Sequence, residues 1–500
     1  MKKSLSIFVA IGVVYGVLWW LVAAPYFSLP ETSPLFSDLE QAPLLKFTLS
    51  IFRMVLPSSA VEGGRLVVFH NLFFNALTLI GVGVLVQLLH EKLSVALVAM
   101  FLFGVSTWPT FYLFSTTEAP LSAFLAVMSV CCVIRAFGLE APTGLWLALA
   151  GLCSGLQVSI SWAGFASFIC LVTAVYLLSA AWKHSMRWKW LASYAVTAGL
   201  VFGQLVIVSG GALWDGISGR VEYSSFLEEL SQMGLVQKVP FGSFFLIGGF
   251  YAPTLVFAGL LGALLFSFIF LDMKRRRTLA ERVLFLMSLM VLVHPLLIDL
   301  FPVSRTASMH FPIYPILIAV VVLVARYWLE GMNQKKGVFA VLAGVFIVAT
   351  VLSNVWHTSE LVSVKNSNTA LVSELTRDTD VYMLKDDIHA GVMEQWLRKP
   401  IQKISSPEEL RGKGVLIIGP RGAGSAKTAY TVPSAKDYSP SLRKPELVQS
   451  YSTPYVGLYP AFLFENEVAS AFYFSGTAPS RDQRNLHLTF WVYPENAVIQ

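Results

Sequence analysis

Charge is what this chain has least of. Only 13% of its 500 residues are Asp, Glu, Lys or Arg, about half the roughly 25% of an ordinary soluble domain. A water-facing surface cannot be built over most of such a chain. Cysteine is nearly as scarce. Cys131, Cys132, Cys153 and Cys170 all fall inside apolar stretches, where they read as small hydrophobes, and no disulfide framework staples the polar parts. A phosphate loop is missing as well. The stretch Gly419-Pro420-Arg421-Gly422-Ala423-Gly424-Ser425-Ala426-Lys427-Thr428 has its flavour. The pattern requires Gly, four residues and then Gly-Lys-Ser/Thr, and that register fails from both Gly419 and Gly422.

Apolar residues are plentiful, at 55%. Runs of about 20 recur over the first 355 positions, each long enough to cross a bilayer. In lipid the backbone has no partner but itself, so the fold class is a polytopic α-helical membrane protein. Spans are expected at 5–24, 66–89, 94–114, 119–137, 144–160, 163–182, 190–209, 247–271, 283–301, 312–329 and 337–355, about eleven. The N-terminal run follows Lys2-Lys3 and ends at Ala23-Ala24-Pro25, a poor cleavage site, and reads as a retained span.

Short loops divide by charge. One set carries Lys2, Lys3, Lys92, Arg135, Lys183, Arg187, Lys189, residues 274–277 and Lys335-Lys336. The other carries Glu31, Asp38, Glu40, Glu62, Glu118, Asp215, Glu222, Glu228 and Glu229. The positive-inside bias puts the first set and the N-terminus in the cytoplasm. The transmembrane part then covers 1–357, with long outer loops at 25–64 and 210–246, and residues 358–500 form an outer domain. In that domain Asp380–Leu384, Ile401–Ile404 and Val415–Ile418 read as strands, helices are expected at 368–377, near 387–397 and from Ser406-Pro407, and further strands at 471–474 and 488–492. Alternating strands and helices make this a small α/β unit.

The loop at 25–64 draws the eye to chemistry. Asp38 and Glu40 stand two apart just before Leu44 to Arg53, whose apolar residues recur on a helical period and predict an amphipathic helix on the membrane surface. Residues 220–233 read similarly in the other loop. As plain loop residues the two acids only keep the loop outside; pressed against a membrane mouth, a carboxylate serves as general base or metal ligand. Glu118 opens the fourth span. It reads as a first-turn acid capped by Thr116 or Thr117, or as a second acid facing the same cavity. Arg305 and His310 open the tenth span beside Tyr314; Arg is the natural grip for a phosphate oxygen, or else snorkels to the interface. His294 before Pro295 reads as bonding a freed carbonyl, and Asp299, Arg65, His70 and Asn71 are lesser candidates.

The order of these features resembles the membrane glycosyltransferases of the GT-C class, in the polyprenyl-phosphate-sugar-dependent branch akin to protein O-mannosyltransferases and lipid A aminoarabinose transferases. The resemblance rests on Asp38-Leu39-Glu40 after the first span, Ala42-Pro43-Leu44-Leu45-Lys46-Phe47, Gly64-Arg65-Leu66, and Phe111 to Glu118. The glycine-rich Leu149 to Leu156, the segment Arg305 to Pro315 and the outer unit at 380–418 complete it. It implies inverting transfer of a monosaccharide from a polyprenyl-phosphate donor to a hydroxyl acceptor, on the outer face of a bacterial cytoplasmic (inner) membrane. Asp38 would be base or cation ligand, with Glu40 and Glu118 in electrostatic support. Arg65, Arg305, His310 and Tyr314 would bind substrate, and a divalent cation, Mg or Mn, would sit on Asp38 and Glu118. Membrane lipid is an expected partner and nucleic acid is not. The competing reading is a transporter, flippase or inactive scaffold with an outer binding domain. Against it, the chain has no internal symmetry and its polar residues cluster at one face, not the midplane.

Overall fold

The computed structural model describes residues 2–23, 43–56, 65–112, 119–138, 143–160, 162–179, 184–209, 253–272, 278–300, 310–331, 341, 344–352, 355, 380–384, 400–405, 409, 414–418, 447–454 and 485–493. The chain divides into two compact units. One comprises Met1–Pro25, Asp38–Leu56 and Leu66–Trp356; the other comprises Tyr26–Ser37, Pro57–Arg65 and His357–Gln500.

The first unit is helical. Its helices are α1 (Lys2–Ala23), α2 (Pro43–Val55), α3 (Arg65–Leu89), α4 (Leu93–Gly104), α5 (Thr107–Tyr112), α6 (Ala119–Gly138), α7 (Thr143–Val158), α8 (Trp162–Leu178), α9 (His184–Val208), α10 (Pro253–Asp272), α11 (Leu279–Leu300) and, after a 3-10 turn at Phe311–Ile313, α12 (Tyr314–Gly331). Among the described residues, seven helices hold apolar windows long enough to cross a membrane, and three more apolar ones are shorter: Leu93–Gly104, Thr143–Val158 and Ala163–Leu178. The chain is thus a multi-pass membrane protein. Large apolar side chains left exposed on α1 (Val13, Val17, Leu21) and α9 (Val196, Leu200, Ile207) face where lipid would lie.

One expected span is different. The third was read as continuous over 94–114, but it is broken into α4 and α5. The physical reason is Pro109: a helix running through it would lose a hydrogen bond and push the proline ring into the carbonyl four residues earlier. The chain turns at Val105 and Ser106 and restarts, with Thr110 Oγ1 donating to Ser106 O at 3.1 Å.

Charged side chains gather at the opposite end of the bundle from α2 and α5. There Glu330, near the end of α12, accepts from Arg326 at 2.7 Å and lies 3.6 Å from His90 and 3.9 Å from Lys92. Arg135 stacks on Trp146, and Arg187 on Tyr176.

Two seams hold the middle of the bundle. On the first, glycines let α7 meet α9: a Cβ on Gly151 would strike the carbonyl of Tyr194, and one on Gly155 would come within 2.5 Å of Ala198 O. This is the small-residue approach typical of membrane helices. On the second, a hydroxyl chain crosses three helices. Tyr194 OH donates to Ser154 Oγ at 2.7 Å, Ser154 and Ser129 Oγ lie 2.8 Å apart, and Ser129 donates to Ala150 O at 2.9 Å. Each of these three hydroxyls finds a protein partner, as lipid requires.

The second unit holds a five-stranded sheet: β1 (Asp380–Leu384), β2 (Ile401–Ile404), β3 (Gly414–Ile418), β4 (Leu447–Pro454) and β5 (Asn485–Tyr493), in the order β2-β1-β3-β5-β4. β1 runs parallel to both β2 and β3, with Val381 opposite Ile401 and Val415. β5 is antiparallel to β3 and β4. The parallel pairs need crossovers, as an α/β unit does. Val381, Met383, Val415 and Leu416 are its buried centre. β1, β2, β3 and the strand near 488–492 match expectation; β4 was not foreseen. The helices expected at 368–377 and 387–397, the strand at 471–474 and the amphipathic stretch at 220–233 lie outside the described residues.

The glycine seam predicts a contrast. Gly151→Ala is expected to cost about 1–3 kcal/mol by overpacking against a backbone that cannot give. Gly203→Ala, on α9 with nothing within 4 Å of its would-be Cβ, is expected to stay within about 0.5 kcal/mol of the parent. Thermal unfolding of the two variants in detergent measures the difference.

Candidate functional site

α2 begins at a proline, whose missing N–H costs nothing in a first turn. Its inner face buries Leu44, Leu45 and Leu49, while Lys46, Phe47, Ile51, Arg53, Met54 and Val55 are exposed. The expected amphipathic helix is there, from Pro43 to Val55. One polar side chain interrupts the inner face. Thr48 Oγ1 lies 3.0 Å from the carbonyls of Leu44 and Leu45 and 2.9 Å from His70 Nε2 on α3.

His70 is fully buried and has a partner on each nitrogen. Its Nδ1 lies 3.0 Å from Asn71 Oδ1. Asn71 Nδ2 in turn donates to Tyr112 O at 2.8 Å, and Asn75 Nδ2, one turn on, donates to Pro109 O at 2.9 Å. These carbonyls belong to the last turn of α5, where a helix has no N–H left to offer them. Two asparagines four residues apart on one helix thereby cap the end of another. Rings close around His70: Phe74 at 4.8 Å and Phe52 at 5.7 Å, with Phe52 also edge-on to Phe69 and Phe73.

The start of α12 locks onto the same break. Tyr314 OH donates to Ser106 Oγ at 2.8 Å. Trp108 packs on Tyr314 and Phe311, with ring centres 4.9 and 5.9 Å apart, and Tyr112 on Phe311 at 4.7 Å. His310 and Tyr314 are both fully buried.

An apolar cluster joins these pieces. Leu44 of α2, Phe74 of α3, Leu121 and Leu125 of α6 and Ile160 just past α7 are buried together, flanked by Phe52 and Phe124. The first turns of α2 and α6 therefore feed one buried cluster.

Of the residues named from sequence, His310 and Tyr314 lie at this end of the bundle. Arg65 is the first residue of α3, but its side chain lies outside the described residues, as do Asp38, Glu40, Glu118 and Arg305. His294 does bond a carbonyl, but not one freed by Pro295 in its own helix. Its Nε2 lies 3.3 Å from Ala163 O, on α8. Among the described residues no group of three or more His, Cys, Asp or Glu could hold a metal ion. Thr48, Asn75, Ser106 and Tyr112 were not singled out. The signal for Asn75 was present: Asn71, Asn75 and Thr78 follow at four and three residues, a polar stripe on an apolar span that must point inward.

Thr48, His70 and Asn71 share the bond order of a nucleophile triad: hydroxyl to Nε2, Nδ1 to an amide oxygen. The hydroxyl is also shared with two carbonyls of its own helix. The arrangement therefore serves better to fix helices than to release a nucleophile.

No family model matches the chain, and no curated protein matches it. Among solved structures, the chain is similar to the oligosaccharyltransferase of Archaeoglobus fulgidus in its apo form (14% identity, TM-score 0.48), over 80% of this chain and 64% of that one. The chain thus spans a little under two thirds of that protein's length. It is also similar to ArnT from Cupriavidus metallidurans, in the apo state (13% identity, TM-score 0.44, 98% of each chain) and bound to undecaprenyl phosphate (12% identity, TM-score 0.44, 97% of each chain).

Proposed function

We propose that the protein is a membrane glycosyltransferase that moves one sugar from a polyprenyl-phosphate donor to a hydroxyl acceptor at the outer face of the membrane. The observation that carries this reading is the buried cluster to which Leu44 of α2 and Leu121 of α6 both belong. Glu40 lies four residues before Leu44 and Glu118 three before Leu121. A chain spans at most ~3.3–3.6 Å per residue, so each acid is tethered within about 10–15 Å of a cluster the two segments share. That supports one acidic site fed by both segments.

In the reaction the acceptor oxygen attacks the anomeric carbon while the bond from that carbon to the phosphate oxygen breaks. The hydroxyl proton passes to the Asp38 carboxylate, and the electron pair leaves with the polyprenyl phosphate. A single displacement inverts the anomeric centre. Glu40 and Glu118 stabilise positive charge building on the sugar. Arg305, with His310, holds the departing phosphate in a site where such donors count for more than in water. Arg65 completes the substrate contacts, while Tyr314, buried with its hydroxyl on Ser106, supports the segment that carries His310. In the alternative role for Asp38, it and Glu118 would instead hold a divalent cation, Mg or Mn, which would neutralise phosphate charge. The lipid tail of the donor explains why the catalyst sits in a membrane.

The test is sugar transfer by purified protein in detergent, with a panel of undecaprenyl-phosphate sugars, with and without Mg²⁺ or Mn²⁺. Release of undecaprenyl phosphate is expected, and Asp38→Asn should slow it about 10²–10⁴-fold as a lost general base does. Full activity in both Asp38→Asn and Glu118→Gln would overturn these roles. Arg305→Lys is expected to weaken product inhibition by undecaprenyl phosphate about tenfold, since a point charge replaces a two-pronged donor; inhibition curves for the two proteins check it.

A further inference from the structure

For a neutral imidazole, the hydrogen bonds around His70 leave one consistent set of proton positions. Asn71 Nδ2 donates to a carbonyl, Tyr112 O, so it is the amide oxygen that faces His70 Nδ1. An oxygen only accepts, so Nδ1 carries the proton. The neutral ring then presents a bare Nε2, and the group facing it is Thr48 Oγ1 at 2.9 Å. The threonine hydroxyl donates to the imidazole, and its carbonyl neighbours at 3.0 Å are the alternative it gives up. The imidazole thus joins three elements. It accepts from α2, is carried by α3, and through Asn71 reaches the last carbonyl of α5.

Those elements border the acid-bearing segments. Residues 24–42, with Asp38 and Glu40, run directly into α2. Residues 113–118, with Glu118, follow Tyr112 directly. We infer that His70 is a positioning residue: its ring ties the helix that follows one acidic segment to the carbonyl that precedes the other. This rests on the proposed reaction for its kinetic consequence, but the tether itself does not.

His70→Phe separates the roles. Phenylalanine keeps a flat ring among Phe52, Phe69, Phe73 and Phe74 and removes both hydrogen bonds. Two measurements are made on it. The first is a spin-label distance between Met54→Cys on α2 and Phe101→Cys on α4, both exposed sites, with the four native cysteines replaced by alanine. The second is kcat and KM with the undecaprenyl-phosphate sugar that the parent protein uses. A broader distance distribution is expected, with kcat down about ten- to a hundredfold, as small misplacements cost, and KM within about threefold. Thr48→Val should reproduce the loss, Thr48→Ser should restore it, and the double variant Thr48→Val with His70→Phe should be no worse than either alone, since both cut one link.

A distribution as narrow as the parent's in His70→Phe and in Thr48→Val would overturn the tether. So would additive losses in the double variant, or an equal loss in Thr48→Ser. If His70→Phe does not fold, the two Thr48 variants decide by the same readouts. Broadening in a protein that turns over no donor would uphold the tether and count against the proposed reaction, so the two failures are distinct.

Discussion

A carbonyl inside a bilayer has nowhere to turn but to the protein. Much of this bundle follows from that constraint. Pro109 breaks the third span, and the short helix that restarts there ends at Tyr112, where its last carbonyls have no N–H of their own helix left to bond. Asn71 and Asn75 answer two of them from α3. Each such bond is worth only about 1 kcal/mol net, but leaving a buried acceptor unmet costs more than making the bond returns. The asparagines thus close the end of the short helix that the broken span leaves behind. Tyr314 adds a second clasp on Ser106, so the turn is gripped from two helices. A kink that would otherwise loosen the bundle becomes one of its better-defined points.

Much of the helical part was legible in the sequence because lipid imposes a simple rule on composition. The amphipathic helix was legible as well: Leu44, Leu45, Leu49 and Phe52 recur on the right period. The broken third span was not, although Pro109 stood in plain view. Prolines occur inside membrane helices, as Pro295 does within α11, and sequence alone does not say which proline bends a helix and which ends it. Strands β1 and β3 were readable as short apolar runs between polar stretches. β4 was missed because Leu447–Pro454 is mostly polar after Leu447 and Val448, so no apolar run marks it as a strand.

The site divides along the same line. Asp38, Glu40, Glu118 and Arg305 were singled out by chemistry, since charges are few and each one stands out, and all four lie outside the described residues. His70 and Asn71 were noticed, but as lesser residues, because neither charge nor motif marks them. What raises them is connectivity across helices, which no spacing along the chain encodes. Thr48 could not have been found at all: a threonine on an amphipathic helix reads as filler until its partner on another helix is known. His294 taught a related lesson. Its neighbour in sequence, Pro295, suggested a local bond, and the bond made was to α8 instead.

Two of the apolar helices, Thr143–Val158 and Ala163–Leu178, are short for their setting over their described residues. At 1.5 Å per residue each measures about 24 Å, against a hydrocarbon core near 30 Å. Each shows apolar side chains outward, such as Leu149 and Ile169, where lipid would lie. A bilayer relieves such a mismatch by thinning around the short elements. The membrane beside α7 and α8 would then dip toward the protein, and a headgroup in that dimple would sit deeper than its neighbours in the surrounding leaflet.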